Sequence, residues 1–437
     1  MAKSFHGGIH PNDRKRFTAG KAIVMAPIPQ KVIIPIRQHI GAPCSPIVKV
    51  GDFVKKGQMI AEAQAFVASP IHASTSGKVI EIAEYPHPVF GSCPAVVIES
   101  DGQDEWLAGL PLARDWQTLE VSEIKDIIRE AGIVGMGGAT FPTHIKMAPP
   151  GEKDIHTFIL NGAECEPFLT ADHRLMLEQS EQIVTGMQIA MKVLGVSTGY
   201  IGIEENKPDA ITVMKKACQG ISGLEVIVLQ TKYPQGAEKT LISVICGKEI
   251  PSGGLPMDVG VVVQNVGTVV AIANAVEKGI PLIERVTTVT GGAMKEPQNL
   301  LLRMGTTFAQ AITICGGFVS PPVKVIMGGP MMGMAQRTLD VPVIKGTSGI
   351  LVLSAEDVNH SPERPCIRCG RCVDACPMGL VPSMLSLLSE RGAHVVAKNE
   401  YDLLDCVECG SCVYVCPAKR NIVHYVKLSK AQNAAKK

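Results

Sequence analysis

The sequence predicts a multidomain α/β protein, and three observations carry that prediction. From about Gln30 to Ser100 it is rich in Val and Ile with closely spaced turn residues, which reads as short strands. After Ser122 short apolar runs alternate with segments of helical periodicity, the rhythm of a mainly parallel sheet covered by helices. Near the end the cysteine density rises abruptly: of 14 cysteines, eight lie between Cys366 and Cys416. The 437 residues, 46% of them hydrophobic, suffice for several cores. With 42 Lys and Arg against 41 Asp and Glu, the chain lacks the basic footprint of a nucleic-acid binder. Cys44, Cys93, Cys165, Cys218, Cys246 and Cys315 stand singly, as reduced thiols rather than a disulfide framework.

The first 28 residues read as an N-terminal arm. MAKSFHGGIHPNDRKRF has no apolar stretch ahead of its charges, so no secretory signal is expected. The best membrane window, Val259 to Val276, is interrupted by Gln264, Asn265, Thr268 and Asn274, so no transmembrane segment is expected either.

Residues 29–115 contain two strand–turn–strand units, VKVGDFVKKGQMIAEA (Val48 to Ala63) and SPIHASTSGKVIEI (Ser69 to Ile82). They resemble the barrel-sandwich fold of biotinyl and lipoyl carrier domains. Those carriers present a modifiable lysine between the units, and here no lysine occurs from Gly57 to Gly77, so an unmodified docking or structural module is expected. Asp101 to Gln117, with Trp106 and Trp116, reads as a connector.

Residues 116–280 form the parallel-sheet domain. Ile124, Ile127, Ile128 and Ala131 repeat at helical spacing, Ser122 is placed to cap and Gly132 to stop the helix. Strands are expected at Thr157–Leu160, Gly199–Ile203 and Leu224–Leu229, and helices at Leu175–Leu194, Pro208–Cys218 and Ala237–Cys246. In such sheets ligands sit beyond the carboxyl ends of the strands. The loops there are GMGGATFPTHIK (Gly135 to Lys146), NGAECEP (Asn161 to Pro167) and YPQGAEKT (Tyr233 to Thr240). Closely spaced glycines let backbone N–H groups approach an anion or a flat ring.

These three segments, followed by QNVGT (Gln264 to Thr268), resemble in type and order the flavin- and NADH-binding subunit of respiratory complex I and its relatives. The resemblance implies noncovalent FMN lined by Gly135, Gly137, Gly138, Ala139, Lys146, Asn161, Glu164, Tyr233, Gly236, Gln264, Asn265 and Thr268. It implies that Phe141, Glu166 and Glu238 face a dinucleotide, with NAD(H) as substrate. That family commonly has Arg, Asp and Glu where this chain has Met136, Ala163 and Ala237, so two carboxylates and one guanidinium are missing from the nicotinamide side. Covalent attachment at GATFPT (Gly138 to Thr143) is not needed, since the motif is accounted for by noncovalent binding.

Residues 281–355 carry RVTTVTG and PVKVIMGG on either side of FAQAITICGG and resemble the β-grasp, ligand-binding module that follows the flavin domain in the same family. Met327, Met331, Met332 and Met334 read as core and loop filling, with no His or Cys near enough in sequence to make a soft-metal site.

In residues 356–425, Cys366-x2-Cys369-x2-Cys372-x3-Cys376-Pro377 is repeated as Cys406-x2-Cys409-x2-Cys412-x3-Cys416-Pro417, the two-cluster ferredoxin pattern. In that pattern the fourth cysteine ligates the other cluster. Two [4Fe-4S] clusters are expected, one on Cys366, Cys369, Cys372 and Cys416, the other on Cys406, Cys409, Cys412 and Cys376. Zinc modules favour separated C-x2-C pairs instead. The module is expected to be ferredoxin-like and α-helical, and residues 426–437, ending KLSKAQNAAKK, a frayed basic tail.

The whole layout, with HGGIHP near its start, resembles the RnfC family of Rnf electron-transport complexes. The resemblance implies a peripheral subunit on the cytoplasmic face of the membrane. It would exchange hydride between NAD(H) and FMN and pass single electrons through the clusters to or from membrane and iron–sulfur subunits, with ferredoxin an indirect partner. Two alternatives stand beside it: a cobalamin reductase of the propanediol-utilisation type, and an electron relay that binds no nicotinamide.

Overall fold

The β-rich first module forms because alternating apolar residues have two sheets to bury between. The computed structural model describes residues 2–359 and 361–434. One antiparallel sheet runs in the order Lys31–Pro35, Gly91–Ser100, Gly77–His87, Phe53–Val54, and the second in the order Ser45–Pro46, Met59–Glu62, Ile71–His72. Val32, Ile34, Ile60, Ile71, Val79, Val96 and Ile98 fill the space between them, with Cys44 and Cys93 as small apolar neighbours.

Three buried histidines are built into this module as neutral rings. His39 Nε2 accepts the Ser69 N–H at 2.9 Å, and His87 Nδ1 accepts those of Val89 and Phe90 at 3.0 and 3.1 Å, so protonation would remove both acceptors. Burial pushes His39 and His87 down to about 4 and His72 to about 3. Below the ordinary histidine value near 6.5 the unfolded chain takes up protons that the folded one refuses, so this stability is present at neutral pH and lost as pH falls toward 4. We expect acidification from pH 6.5 to 5 to cost about 2 kcal/mol per histidine. Chemical denaturation at the two pH values checks this, and equal midpoints would refute it.

The second domain is a four-stranded parallel sheet in the order Leu224–Leu229, Gly199–Glu204, Thr157–Gly162, Val261–Asn265. Its strands are almost wholly apolar because helices cover both faces. Val121–Glu130, Ser180–Leu194 and Val266–Lys278 pack with the main core, and Glu238–Cys246 covers the opposite face. The first of these helices starts one residue before Ser122: Glu123 accepts the Glu120 N–H at 2.8 Å, so a carboxylate does the capping assigned to the serine. The long helix expected at 175–194 is two, Ala171–Glu178 and Ser180–Leu194, broken where Gln179 leaves helical geometry. The membrane-like window divides into strand Val261–Asn265 and helix Val266–Lys278, and among the described residues no helix is long and apolar enough to cross a membrane.

A six-stranded mixed sheet follows, in the order Ile23–Met25, Gln298–Arg303, Glu284–Thr290, Gly349–Leu353, Lys324–Met327, Met334–Ala335. Its first strand comes from the N-terminal arm, which is therefore not a separate appendage. The arm is threaded through the molecule: Lys3 bridges Leu229, Ile9 pairs with Tyr233, and Ile23–Met25 closes the sheet edge. Gly7 and Gly8 explain the HGG of the arm, since a Cβ on either would lie 2.7 Å from a carbonyl oxygen, of Cys376 and Tyr233 respectively.

The cysteine-rich module is helical, with Arg371–Asp374 and Ser411–Tyr414 following corresponding cysteine turns, and Pro382–Glu390, His394–Glu400 and Ile422–Ala434 packed behind them. The last of these helices overturns the expected frayed tail over 426–434. Val426 and Ser429 are buried, Ser429 Oγ meets Ser389 Oγ at 2.7 Å, and Asn433 Nδ2 donates to the His394 carbonyl at 3.0 Å. Residues 435–437 of that tail lie outside the described residues.

Candidate functional site

The carboxyl ends of the parallel strands and the glycine loop meet at one edge of the second domain. Gly135 N–H donates to the Phe141 carbonyl at 2.9 Å and closes the glycine loop into a turn, with Phe141 half-buried and Gly137, Gly138 and Ala139 exposed at the tip. A Cβ on Gly137 would lie 2.8 Å from Asn265 Nδ2, so only glycine lets the loop pass this close. Met136 N–H donates to Thr268 Oγ1 at 2.9 Å, and Asn265 Oδ1 caps the helix Val266–Lys278 by accepting the Gly267 N–H at 2.8 Å. Across the edge Asn161 Nδ2 donates to the Gly236 carbonyl at 2.8 Å, and the Gly236 N–H points to Cys165 Sγ at 3.3 Å.

Two buried amides in this region have unused capacity. Gln264 is 2% and Gln235 0% exposed, and Gln264 Oε1 and both polar atoms of Gln235 have no partner among the described residues. Unpaired buried polar atoms are costly and call for an occupant. Lys146 and Glu238, both expected to touch ligand, pair with each other at 3.0 Å while remaining partly accessible.

Three expected residues turn elsewhere. Glu164 accepts the Asp172 and His173 N–H groups at 2.8 and 3.1 Å, spending its carboxylate on the positive N-terminus of helix Ala171–Glu178. Glu166 accepts the Met331 and Met332 N–H groups at 3.0 and 2.8 Å, joining the flavin-side loop to the third module instead of leaving a free acceptor for ribose hydroxyls. Its burial pushes the carboxyl up to about 7. Tyr233 is 2% exposed and donates its hydroxyl to the Cys409 carbonyl at 2.7 Å. The partners of Glu166 and Tyr233 are more than 160 residues away, so no local pattern announced them, whereas those of Glu164 lie eight and nine residues on, at the start of the next helix. Nor did the sequence single out Lys15, Gln235 or the backbone of Met331 and Met332.

Around the cysteine repeats lie two cavities. One is lined by Cys366, Cys369, Cys372 and Cys416, the other by Cys376, Cys406, Cys409 and Cys412. The thiols surround each space, and among the described residues no three His, Cys, Asp or Glu side chains converge on a single ion-sized point. Four soft anionic donors around a cavity fit a four-iron cluster, in which each metal takes one thiolate. The second cavity is the inner one: Cys376, Cys409 and Cys412 are buried, and Ile9, Tyr233 and Met331 pack against its wall. At the first, Cys369 is exposed and Ile367 is 67% exposed.

Comparison with known proteins finds four domain types along the chain. Family models match for an RnfC barrel sandwich hybrid domain at residues 3–103, a Nuo51 FMN-binding domain at 128–274, an SLBB domain at 286–335 and a 4Fe-4S dicluster domain at 365–420. The RnfC component of the proton-translocating ferredoxin:NAD(+) oxidoreductase complex of Clostridium ljungdahlii is 63% identical over 435 residues, covering 100% of this chain and 95% of the relative. The chain belongs to the RnfC family. A second member, from the Na(+)-translocating ferredoxin:NAD(+) oxidoreductase complex of Acetobacterium woodii, is 50% identical, covering 99% of this chain and 98% of its own. The fold extends beyond the family: a NAD+-reducing [NiFe]-hydrogenase crystal structure superposes with a TM-score of 0.52 at 18% identity, over 73% of this chain and 63% of that one. Against this family, the first module, the FMN domain, the SLBB domain and the dicluster domain are the coarse architecture expected from the sequence, and FMN and two [4Fe-4S] clusters are its cofactors.

Proposed function

We propose that this protein exchanges hydride between NAD(H) and FMN at the strand-end loops of the second domain. Single electrons then pass through two [4Fe-4S] clusters to or from the membrane partners of an ion-translocating ferredoxin:NAD oxidoreductase complex, on the cytoplasmic face of the membrane. When bound, the flavin accepts two electrons as hydride and releases them singly, and each cluster carries one. The observation that carries the reading is Tyr233. Its backbone belongs to the loop beside the glycine turn, and its buried hydroxyl holds the carbonyl of Cys409, so one residue fixes the spacing between the flavin edge and the inner cluster cavity. Cys376, Cys406, Cys409 and Cys412 are the proposed ligands of the inner cluster, and Cys366, Cys369, Cys372 and Cys416 those of the outer.

Gly135, Gly137, Gly138 and Ala139 present backbone to the flavin. Asn161, Gly236, Asn265 and Thr268 hold the surrounding loops, and Gln264 supplies an unpaired amide oxygen. Lys146 and Glu238 stand partly accessible as a pair, and Phe141 is half-buried on the glycine loop. NADH added anaerobically to the loaded chain is expected to bleach both flavin and iron–sulfur absorbance. Reduction by dithionite alone would leave the second reading, a relay without nicotinamide, which the engagement of Glu166 by Met331 and Met332 favours. Gly137→Val drives a branched side chain into Asn265 and is expected to lower bound FMN at least about tenfold while leaving iron content unchanged. Full retention of FMN would place the flavin elsewhere.

A further inference from the structure

Lys15 is a buried ammonium that the proposed chemistry does not use. It is 6% exposed, and its three N–H bonds are all spent on one loop: the carbonyls of Glu164 at 2.8 Å, Glu166 at 3.1 Å and Leu169 at 2.5 Å. The arm holds the same loop at two further points. Phe168 N–H donates to the Asp13 carbonyl at 2.7 Å, and the rings of Phe17 and Phe168 stack with centroids 6.0 Å apart.

The loop needs this support. Glu164 and Phe168 are non-glycine residues at φ 44° and 70°, in the left-handed region, and such backbone persists only where the surroundings over-determine it. From the other side Lys207, fully buried, donates to the Ala163 carbonyl at 2.6 Å. Carbonyls of Ala163, Glu164, Glu166 and Leu169 are thus turned to two cations. The N–H groups of Glu164, Cys165 and Glu166 have no acceptor among the described residues. A run of free N–H groups backed by buried positive charge is an arrangement that favours an anion.

We propose that Lys15 is a positioning residue for the flavin loop Asn161–Leu169, and that its charge favours the reduced form of the bound FMN over the oxidised form. The inference rests on FMN occupying this strand edge. Hydride transfer brings two electrons and one proton, so the ring gains one net negative charge on reduction. A fixed cation lowers the energy of that charge. Glu164 and Glu204 lie in the same field, and removing Lys15 leaves them less compensated, which moves the balance in the same direction.

The test is Lys15→Met in the full chain, with Lys15→Arg as the conservative partner. The measurement is the affinity of the flavin-stripped protein for oxidised and for dithionite-reduced FMN. Lys15→Met is expected to lower the reduced-to-oxidised affinity ratio about tenfold, equivalent to a two-electron midpoint about 30 mV more negative. Lys15→Arg should restore most of it. A variant that binds both forms more weakly by the same factor would show a purely structural staple and overturn the proposal, as would an unchanged ratio at full affinity. If Gly137→Val leaves FMN bound, the location of the flavin has failed and the Lys15 inference falls with it. A changed ratio together with FMN loss in Gly137→Val supports both.

Discussion

Replacing Cys372 and Cys376 together by alanine is expected to abolish both iron–sulfur clusters, although the two residues belong to the same sequence repeat. The expectation follows from the proposed ligand sets: Cys372 lines the space shared with Cys366, Cys369 and Cys416, and Cys376 lines the one shared with Cys406, Cys409 and Cys412. Iron should fall from about eight per chain toward zero, while Cys376→Ala with Cys406→Ala, which removes two residues from different repeats, should retain about four. Repeat-by-repeat ligation gives the reverse pattern, so iron analysis of two double variants decides between them. Each single variant is also expected to loosen the helical module. Its described core is small, centred on Leu380, Leu385, Ala397, Leu403 and Val426, and ligation contributes folding free energy that such a core does not replace.

The inner cluster is also where the arm, the flavin loop and the third module come together. Gly8 N–H donates to the Ala375 carbonyl at 3.0 Å, Tyr233 reaches Cys409, and a Cβ on Gly410 would lie 3.1 Å from the Met331 carbonyl oxygen. Loss of the cluster is therefore expected to be felt at the flavin edge, whereas loss of the outer cluster is not. Flavin fluorescence in the Cys376→Ala and Cys366→Ala variants separates the two cases.

What the sequence made legible and what it hid follow one physical division. The cysteine quartets, the glycine turn and the parallel strands are local patterns, set by residue spacings of one to a few positions. The cavities and the strand-end edge lie where those patterns point. Long-range partners are invisible to spacing: Lys15 meets Glu164 across 149 residues and Tyr233 meets Cys409 across 176. Glu164 and Glu166 illustrate the same limit from the other side. Their position in the motif suggested ligand contacts, and only the fold shows a helix N-terminus and two backbone N–H groups competing for them. The methionine run read as core and loop filling, yet Met332 and Met334 are exposed, and the contribution of Met331 and Met332 lies in their backbone, which composition does not report. HGGIHP carried no chemical reading as a string, yet its Gly7 passes so close to Cys376, which lines the inner cavity, that a Cβ would lie 2.7 Å from the Cys376 carbonyl oxygen.

Lys207→Met is expected to be among the most destabilising single changes in the flavin domain, by about 3–5 kcal/mol. Lys207 is 0% exposed, and its ammonium donates to the Ala163 carbonyl at 2.6 Å, Asn206 Oδ1 at 2.9 Å and Glu204 Oε2 at 3.2 Å. Methionine keeps the apolar stem as far as Cε and leaves only the place of the ammonium unfilled, so most of the packing is retained and the main loss is electrostatic. Glu204 is 1% exposed and would remain as a buried carboxylate without its nearest counter-ion. Burial already raises the pKa of Glu204 in the intact protein, with Lys207 opposing it, so removing the lysine raises it further. A carboxyl whose folded pKa lies above its unfolded value weakens the folded state at high pH, and the penalty shrinks as pH falls and the group protonates. The deficit of Lys207→Met relative to the unaltered protein at the same pH should therefore be larger at pH 8 than at pH 6. Adding Glu204→Gln should recover much of it, because a neutral amide does not need the cation. A deficit independent of pH and untouched by Glu204→Gln would assign the effect to the Ala163 carbonyl instead, the point at which this buried pair grips the flavin loop.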